Sequence, residues 1–458
     1  MHRFSLLVWL LLAPVFVLSL AVAEEIEGTP LKAGVFRPEQ FNAPSACGEC
    51  HVTLHDEWRG SVHALALQDP VFQAITKMFW DDAKNDGERH ECEACIKCHA
   101  PAAFGAGQIT NPGQPFATVT PGPTNGIFCD FCHSVSGSLE RKNTSFAMMP
   151  GRDLGEPGTK RGPRSEGEND FHQIAYSGLH TRSEFCGTCH EVKHVVNETP
   201  LESTYSEWLH GPYYTGDPAT TVHCQDCHLR QAPGLPATGT TARPDRPGSA
   251  AEGSPRRPHV WRHNVVGANI FLPKIFGDAG ARETMARERL QNCASLEVKG
   301  EGSWKSGGLA VLRVKVKNDG AGHYLPTGVT ELREMWLEVK VLDGRGRLLY
   351  SSGVADAAGA LPADTVLYNM HLADPEGNPT LNIARADRVL FDYRIPPKGY
   401  RLETYRFLLP PQLRGELTVE TRLLYRGLPK AVLDLLGPAA PVVPTVEMAR
   451  QVVKVSIR

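Results

Sequence analysis

The pattern of apolar and polar residues divides the chain into two unlike parts that meet near residue 298. Beyond that point, apolar residues recur at every second position, which is the period of strands with one buried face. Such runs occupy residues 312–316, 335–341, 417–423 and 453–457, and a turn at 343–346 leads into a return strand from residue 348. Short strands separated by Gly/Pro turns predict an immunoglobulin-like β-sandwich over residues 299–458, with an open sheet as the alternative.

The part before residue 298 shows little long-range periodicity. From residue 24 to residue 230 it is rich in Gly and His, and it would look disordered unless a cofactor supplied the core that its side chains lack. Residues 230–258, rich in Pro, Gly and Thr, predict a flexible insertion or linker. Residues 278–296 have helical spacing, with Met285, Leu290 and Cys293 as the apolar positions.

The first 23 residues have the features of an export signal. A weakly basic start precedes an apolar run over residues 6–22, and Ala21-Val22-Ala23 before Glu24 fits the small-residue cleavage rule. We predict a signal peptide over residues 1–23 and an exported protein, periplasmic or extracellular. Because the apolar run is slightly long, an uncleaved N-terminal membrane anchor is the alternative.

The length and the net charge of the chain limit the number of domains and the classes of partner. A chain of 458 residues is long enough for two or three domains. Its formal net charge of −3 provides no basic field for nucleic acid, so we expect no nucleic-acid partner.

One pentapeptide frame, Cys-x-x-Cys-His, occurs five times before residue 230, and we number the copies motif 1 to motif 5 in chain order. This frame is the attachment signature of c-type haem, in which two thiols bond to the vinyl groups of one porphyrin and the adjacent imidazole lies under the iron. We therefore expect five covalently attached haem c groups. The predicted attachment residues are Cys47, Cys50, Cys95, Cys98, Cys129, Cys132, Cys186, Cys189, Cys224 and Cys227, and the predicted proximal ligands are His51, His99, His133, His190 and His228.

Other uses of paired cysteines fit less well. Structural zinc needs four ligands and usually pairs two Cys-x-x-Cys units, so five frames would leave one over. Iron–sulfur clusters usually take all-cysteine sets, and a disulfide framework has no need of the histidine. Export supports the haem interpretation independently, since haem c is attached outside the bacterial cytoplasm. Cys92 and Cys293 lie outside the frames, and a disulfide between them is left open.

A six-coordinate haem needs a second axial ligand, and the chain has 18 histidines. After the five proximal residues and His2, twelve remain. The strongest distal candidates are His63, His180, His210, His263 and His323. Glycines around His323, on a loop between two predicted strands, would let a haem edge approach the backbone.

The remaining histidines carry weaker predictions. His55 and His194 each follow a proximal histidine by four residues, a spacing that favours a bond to a haem propionate. The others are held in reserve: His90, His172, His223, His259 and His371. For Met148 and Met149, apolar packing is favoured over His/Met ligation.

Several stretches taken together resemble the multihaem cytochrome c-554 family. They are residues 58–64, 126–133, 185–191, 205–213 and 224–228, and the loop at 320–328 resembles the β-domain appended to some multihaem cytochromes. The resemblance implies bis-histidine haems in close pairs. It also implies that His63 is a distal ligand, through its Trp-x-x-Ser-x-His frame.

One departure from the family pattern concerns residues 208–213, where Tyr213 occupies the slot equivalent to His63. Either His210 ligates instead or that haem has no histidine there, and the resemblance allows a five-coordinate haem. The chain has no Cys-x-x-Cys-Lys frame, which weighs against a nitrite-reductase-type haem with lysine ligation.

The predicted fold class is α+β, with a loop-rich, mainly α multihaem cytochrome domain over residues 24–298 followed by the β-sandwich. We expect an electron carrier rather than a substrate-converting enzyme, with redox proteins or an extracellular electron acceptor as partners. The alternatives are an oxidoreductase acting on a small nitrogen or sulfur compound at an open haem, and a subunit of a cytochrome filament. A membrane partner is expected only if the N-terminal segment stays uncleaved.

Overall fold

The computed structural model describes residues 26–119, 126–152, 156–167, 169–277 and 280–458. The predicted signal peptide therefore lies outside the described residues. Within the described ranges, no helix combines the length and the apolar character needed to cross a membrane.

The helices are mostly short, and they lie mainly before residue 293. In chain order they are α1 (Pro44–Gly48), α2 (Val52–Arg59), α3 (Pro70–Asp82), α4 (Asp86–His99), α5 (Pro101–Gly105), α6 (Cys129–Ser134), α7 (Ser183–Gly187), α8 (Thr204–Leu209), α9 (Cys224–His228), α10 (Leu272–Ile275), α11 (Ala281–Gln291) and α12 (Lys430–Leu436). The two longest before residue 100 begin at side-chain caps: Asp69 accepts a hydrogen bond from Val71 N, and Asn85 accepts one from Glu88 N.

The strands are short before residue 293 and long after it. In chain order they are β1 (Thr29–Pro30), β2 (Val135–Ser138), β3 (Phe146–Met148), β4 (Thr159–Gly162), β5 (Gln173–Tyr176), β6 (Val192–Lys193), β7 (Pro200–Glu202), β8 (Ala294–Glu301), β9 (Leu309–Asn318), β10 (Glu334–Leu342), β11 (Leu348–Ser352), β12 (Met370–Ala373), β13 (Pro379–Thr380), β14 (Arg388–Asp392), β15 (Tyr400–Leu408), β16 (Glu416–Arg426) and β17 (Thr445–Ser456).

The C-terminal strands form two antiparallel sheets that share one core. One sheet has the order β11-β10-β16-β17 and the other the order β15-β9-β8. Alternate residues of both sheets, such as Leu312 and Val314 of β9 and Leu337 and Val339 of β10, are fully buried in the same cluster. The period-two pattern therefore marks the inner faces of a sandwich, and the prediction of an α+β fold with a C-terminal β-sandwich is confirmed.

The N-terminal region has no comparable single core. Its buried apolar residues form separate clusters, one around Phe41 and Phe128, another around Ile96 and Ile109, and a third that includes Ile75. Residues of these clusters border a large internal cavity instead of meeting across it. This arrangement agrees with the expectation that side chains alone would not fill this part of the molecule.

The junction between the two regions differs in detail from the prediction. Helix α11 ends at Gln291, and Leu296, which the helical spacing had included, lies in β8. The helix stops there because Asp319 N and Gly320 N both donate to Cys293 O, and Ala294 then pairs with Asn318 in the sheet. Met285 and Leu290 of α11 are buried in the sandwich core. Asp278, the predicted helix start, lies outside the described residues.

The segment at residues 230–258, predicted as a flexible insertion, packs against motif 1. Ala250 O accepts a hydrogen bond from His51 Nδ1 at 2.8 Å, and Glu252 N donates to Cys50 O at 3.0 Å. Arg246 forms an ion pair with Glu57 of α2 at 2.9 Å. The segment thus forms one wall around the first pair of cysteines.

Candidate haem-binding cavity

A cavity of about 1510 Å³ runs through the N-terminal region and reaches the β-domain. Its lining includes all fifteen cysteines and histidines of the five motifs: Cys47, Cys50, His51, Cys95, Cys98, His99, Cys129, Cys132, His133, Cys186, Cys189, His190, Cys224, Cys227 and His228. All twelve cysteines of the chain are free thiols in this structure, so the ten motif thiols are available for thioether bonds. The residues present fit covalently attached haem groups.

Short helices carry three of the motifs completely and the beginning of the other two. Motif 2 lies wholly on α4, motif 3 on α6 and motif 5 on α9, while α1 and α7 carry the first cysteine of motifs 1 and 4. On a helix, residues three apart lie on the same face, so both thiols of a motif point to one side.

The Nδ1 atom of each proximal histidine is hydrogen-bonded, which leaves Nε2 free to bind iron. The acceptors are Ala250 O at 2.8 Å for His51, Ala66 O at 3.2 Å for His99, Arg161 O at 2.6 Å for His133, Glu202 Oε1 at 3.0 Å for His190, and Val266 O at 3.2 Å for His228. Such bonds fix both the tautomer and the orientation of a metal-binding imidazole.

Four of the five proximal rings face a second histidine ring across the cavity. The ring-centroid distances are 6.4 Å for His51 and His172, 6.4 Å for His133 and His263, 6.2 Å for His190 and His63, and 6.4 Å for His228 and His323. Two metal–imidazole bonds of about 2 Å each, with the two half-rings added, span roughly 6.4 Å between centroids. The spacing therefore suits one iron between each pair.

Burial keeps most of these imidazoles neutral, the form that binds a metal. It lowers the pKa of His63 to about 3 and the pKa values of His99 and His263 to about 4. His190 differs: burial by itself would lower its pKa, but the hydrogen bond and the charge of Glu202 more than offset that effect and raise it. A carboxylate on Nδ1 also makes an imidazole a more basic ligand.

The fifth proximal residue, His99, has different surroundings. Among the described residues, the only ring in contact with it is that of Phe72, which stacks on it at 3.8 Å and 9°. Phe72 lies on α3, one turn after the cap of that helix at Asp69. The phenyl ring fixes the orientation of the imidazole but cannot ligate iron.

His180 borders the cavity, but both of its ring nitrogens are engaged. Nε2 lies 2.9 Å from Cys132 O and Nδ1 lies 2.8 Å from Ser177 Oγ. Although its ring lies 5.7 Å from that of His133, a nitrogen that donates to a carbonyl has no lone pair to offer iron. His263 faces the same proximal ring with Nε2 free, since its own hydrogen bond, to Trp261 O, is made by Nδ1.

His210 and Tyr213, the two candidates for the departing slot, both lie away from a proximal ring. His210 is exposed, and its Nδ1 donates to Ser206 O at 2.8 Å. Tyr213 is buried beside the loop that carries His323, in contact with Gly322. Tyr213, the residue at the position equivalent to His63, therefore packs under that loop.

His172 was only in reserve from the sequence. It precedes β5, which pairs in parallel with β4, and Arg161 of β4 supplies the carbonyl that holds His133. This small sheet thus contacts both motif 1 and motif 3. No periodicity or frame in residues 156–172 marks the role, so the sequence contained no signal for it.

The other histidines have partners of their own. His55 packs on Trp58, His90 pairs with Glu93, His194 bonds Ala384 O, His223 accepts from Ser183 N, His259 accepts from Arg246 N, and His371 stacks on Phe391. Met148 is buried in an apolar cluster, which agrees with packing, whereas Met149 is exposed.

The two cysteines outside the motifs are buried in different clusters and form no disulfide. Burial raises the pKa of Cys92 to about 12 and that of Cys293 to about 11. Both thiols therefore stay protonated and unreactive at neutral pH.

Contacts between motifs define their neighbours. The thiol of Cys129 lies close enough to lower the pKa of Cys47, which makes motifs 1 and 3 neighbours, and the thiol of Cys186 lowers the pKa of Cys224, which makes motifs 4 and 5 neighbours. The buried Thr144 hydroxyl contacts Cys98 Sγ at 2.9 Å and Cys189 Sγ at 3.6 Å, which joins motifs 2 and 4.

Motifs 3 and 4 are joined through His180. Its ring bonds Cys132 O and packs on Phe185, the residue before Cys186, at 4.6 Å. Motif 4 therefore has three neighbouring motifs.

Comparison with known proteins agrees with this geometry. Residues 46–134 match the family model for cytochrome c554 and c-prime. The fold is similar to the crystal structure of a penta-heme cytochrome c552 from Thermochromatium tepidum, with a TM-score of 0.58 and 18% identity over 91% of this chain and 100% of that chain. A CARDB domain from Pyrococcus furiosus aligns with 36% of this chain and 87% of that chain at 15% identity. Its TM-score of 0.17 is too low to indicate a shared fold. No curated protein gives a significant match.

The family match includes motifs 1, 2 and 3, and the structural match extends over the cavity and the β-domain. The predicted resemblance is confirmed: this chain has the fold of a multihaem c-type cytochrome with an appended β-domain, and residues 46–134 match the cytochrome c554 and c-prime family.

Proposed function

We propose that this protein is an exported electron carrier with five haem c groups, one on each Cys-x-x-Cys-His motif. The observation that carries the proposal is the set of four facing imidazole pairs, each spaced for one iron. An iron with two imidazoles has no open position for a substrate, so its chemistry is the gain and loss of electrons. Bis-histidine ligation favours lower potentials than His/Met ligation.

The proposed axial pairs follow from that spacing. We number each haem by its motif, and the pairs are His51 with His172 on haem 1, His133 with His263 on haem 3, His190 with His63 on haem 4, and His228 with His323 on haem 5. His63, His263 and His323 were expected from the sequence, and His172 replaces His180 in this assignment.

The contacts between motifs support a branched path for electrons. Haem 1 neighbours haem 3, haem 3 neighbours haem 4, and haem 4 also neighbours haems 2 and 5. Since tunnelling rates fall steeply with distance, electrons would move between these neighbours. Haem 4 would be the junction through which haems 2 and 5 exchange electrons with the rest.

A carrier needs a donor and an acceptor. Export, which rests on the apolar run at residues 6–22, would place the exchange outside the cytoplasm, with redox proteins or an extracellular acceptor as partners. Assembly into an oligomer or a filament would extend the same path from one copy to the next.

Haem count is the first test. The intact mass of the mature protein should exceed that of the polypeptide by five haem groups, and all should survive acid–acetone extraction because thioether bonds do not release in acid. Haem that extracts, or a mass showing fewer groups, would contradict covalent attachment at one or more motifs.

Ligation is tested by paired variants. His172→Ala should convert one haem from low-spin to high-spin, seen by electron paramagnetic resonance of the ferric protein, because it removes the ring that faces His51. His63→Ala should do the same for haem 4. His180→Ala is the matched control, and it should leave all spins unchanged. If His180→Ala opens a haem while His172→Ala does not, the assignment is reversed.

A second candidate function rests on haem 2. Among the described residues, no histidine ring faces His99, so this haem is the one at which a small nitrogen or sulfur compound would bind. A high-spin signal in the unmodified protein that shifts on adding nitric oxide or hydroxylamine would support an oxidoreductase. A fully low-spin spectrum that neither compound changes would contradict the oxidoreductase hypothesis, and electron transfer would remain as the proposed function.

A further inference from the structure

The loop that carries His323 belongs to the β-domain, whereas its proposed partner His228 lies on α9 of the N-terminal region. Both histidines can therefore ligate the same iron only if the two regions keep a fixed position relative to each other. Asn318 holds the loop from within the β-domain, since its Nδ2 donates to His323 O at 2.8 Å. That bond does not fix the loop against α9.

One buried carboxylate connects this loop to the N-terminal region. Glu207 of α8, whose side chain is 5% exposed, accepts Tyr324 N at 3.0 Å and Thr327 Oγ1 at 2.6 Å. Tyr324 directly follows His323, and its carbonyl accepts from His323 Nδ1 at 3.0 Å. A single carboxylate oxygen, Oε2, thus holds the peptide next to the ligand.

The charge of Glu207 is balanced by a buried arginine of the β-domain. Arg394, 4% exposed, donates to Glu207 Oε1, and its other nitrogens donate to Asp392 at 2.9 Å and 2.8 Å. The guanidinium also lies over the Tyr324 ring, 5.1 Å from its centroid. The carboxylate is therefore held on both oxygens, and the arginine supports the same loop from the other side.

Other contacts from the N-terminal region reach both ends of the loop. At its beginning, Gly239 N donates to Gly320 O at 2.7 Å, and Tyr213 OH lies 3.4 Å from Asp319 O. Beyond the ligand, the Thr204 hydroxyl of α8 lies 2.8 Å from the Thr327 hydroxyl. Among these contacts, Glu207 bonds the peptide directly after His323.

We infer that Glu207 is a positioning residue for haem 5: by bonding the backbone of Tyr324 and the hydroxyl of Thr327 it keeps His323 on the iron opposite His228. This inference rests on the proposed axial pair of haem 5. It assigns a role to residues 205–213, the stretch in which the family-like frame ends in Tyr213: this stretch would supply no ligand of its own and would instead hold a ligand of the other domain.

The test compares Glu207→Ala and Glu207→Gln with His323→Ala in the full-length holoprotein. Glu207→Ala should add, to whatever high-spin signal haem 2 gives in the parent, a ferric high-spin signal from one further haem, up to one fifth of the total. In the reduced variant this further haem should bind carbon monoxide about tenfold faster than in the parent, which corresponds to the loss of about 1.4 kcal/mol of ligand retention. Added imidazole should remove the additional high-spin signal. Glu207→Gln keeps an oxygen acceptor and should give nearly the spectrum of the parent.

The matched control is Glu338→Ala. Like Glu207, Glu338 is a buried carboxylate paired with an arginine, Arg422 at 2.9 Å, but it lies in β10 of the β-domain, away from the His323 loop. The Glu338→Ala substitution should destabilise the fold without altering any haem spectrum. If Glu207→Ala does not mature, Thr327→Val removes one of the two donors to Glu207 and should raise the carbon monoxide rate by a smaller factor. Because Thr327→Val also removes the bond to the Thr204 hydroxyl, Thr204→Val is its control and should leave the rate unchanged.

The outcomes separate the two hypotheses. If His323→Ala opens a haem but Glu207→Ala and Thr327→Val do not, the positioning role is wrong and the ligation stands. If His323→Ala adds no high-spin signal to that of the parent, the axial pair itself is wrong. If Glu338→Ala opens a haem as readily as Glu207→Ala, the effect is general destabilisation, and Glu207 has no special role.

Discussion

The β-domain and the N-terminal region of this molecule are held together by different means. In the β-domain, two sheets close on a single core in which residues such as Leu312, Leu337 and Val419 are fully buried. In the N-terminal region, apolar residues lie in separate clusters around a cavity of about 1510 Å³ bordered by the five motifs. The β-domain has a core filled by side chains, including Met285 and Leu290 of α11, whereas the N-terminal region is arranged around a space that haem groups fit.

The difference also appears in where buried polar groups lie. In the N-terminal region, histidines and carboxylates such as His194, Glu91 and Glu202 are buried or largely buried near the cavity. A region with so many buried polar groups needs each of them paired, and in the proposed assignment haem iron is the partner of the histidines that face each other across the cavity. The comparison teaches that cofactor and fold cannot be separated in the N-terminal region, whereas the sandwich core of the β-domain is filled by side chains.

The largest effect expected from this contrast concerns the loss of haem. The double change Cys186→Ser and Cys189→Ser removes attachment at motif 4, the motif with three neighbours, and should leave the N-terminal region open to proteolysis. The β-domain should survive as a resistant fragment, because its core contains no haem. Limited proteolysis with mass spectrometry checks this. Cys92→Ser, a buried cysteine outside the motifs, is the control and should be resistant throughout.

A core truncation should act in the opposite way. Leu337→Ala removes a fully buried side chain from the sandwich core and should lower the free energy of unfolding of the β-domain by about 2–5 kcal/mol. The haem spectra should remain those of the unmodified protein at temperatures below the new transition. A change in spin state in the fully folded variant would show that the two regions are not separate in energy.

A buried carboxyl should make the stability of the β-domain depend on pH. Burial raises the pKa of Glu331, 3% exposed, from 4.5 to about 7. Between these values the folded chain binds more protons than the unfolded one, so the free energy of unfolding falls as pH rises through this window. The total loss is about 3 kcal/mol. Thermal melts of Glu331→Gln should show this pH dependence flattened, with the variant gaining stability relative to the parent from pH 4 to pH 8.

Two glycines of the N-terminal region should show the smallest expected changes in stability. Comparing them separates the cost of a strained backbone from the cost of a steric contact. Gly126 has φ +75°, and a Cβ there would meet His63 O at 2.8 Å, whereas Gly216 has φ +77° and open space around it. Alanine at either position should cost about 1–2 kcal/mol from the left-handed backbone. Gly126→Ala should in addition shift His63 and give haem 4 some high-spin character by electron paramagnetic resonance. Equal spectra for the two variants would argue against a tight fit at His63.

The comparison of the two regions also shows how far the sequence could be interpreted. The strands at 312–316 and 335–341 were predicted because period-two burial is a local property of each strand. The helix over 278–296 was predicted too long, because the pairing of Ala294 with Asn318 competes with helical spacing, and that pairing depends on residues distant in the chain. His180 was predicted as a distal ligand from its neighbours in the sequence, but its Nε2 is hydrogen-bonded to Cys132 O, a contact between distant parts of the chain.

What the sequence determined by itself is therefore the chemistry that sits within a few residues. The five Cys-x-x-Cys-His frames specify thioether attachment and a proximal imidazole, because three side chains within five consecutive residues are brought together by local backbone structure alone. The alternation after residue 298 likewise determined the sandwich. Only the tertiary structure decided which histidine faces which proximal ring. His172, His263 and His323 approach from other segments, and the hydrogen bonds that orient them, as with Glu207 and Tyr324, form between parts of the chain that no local pattern connects.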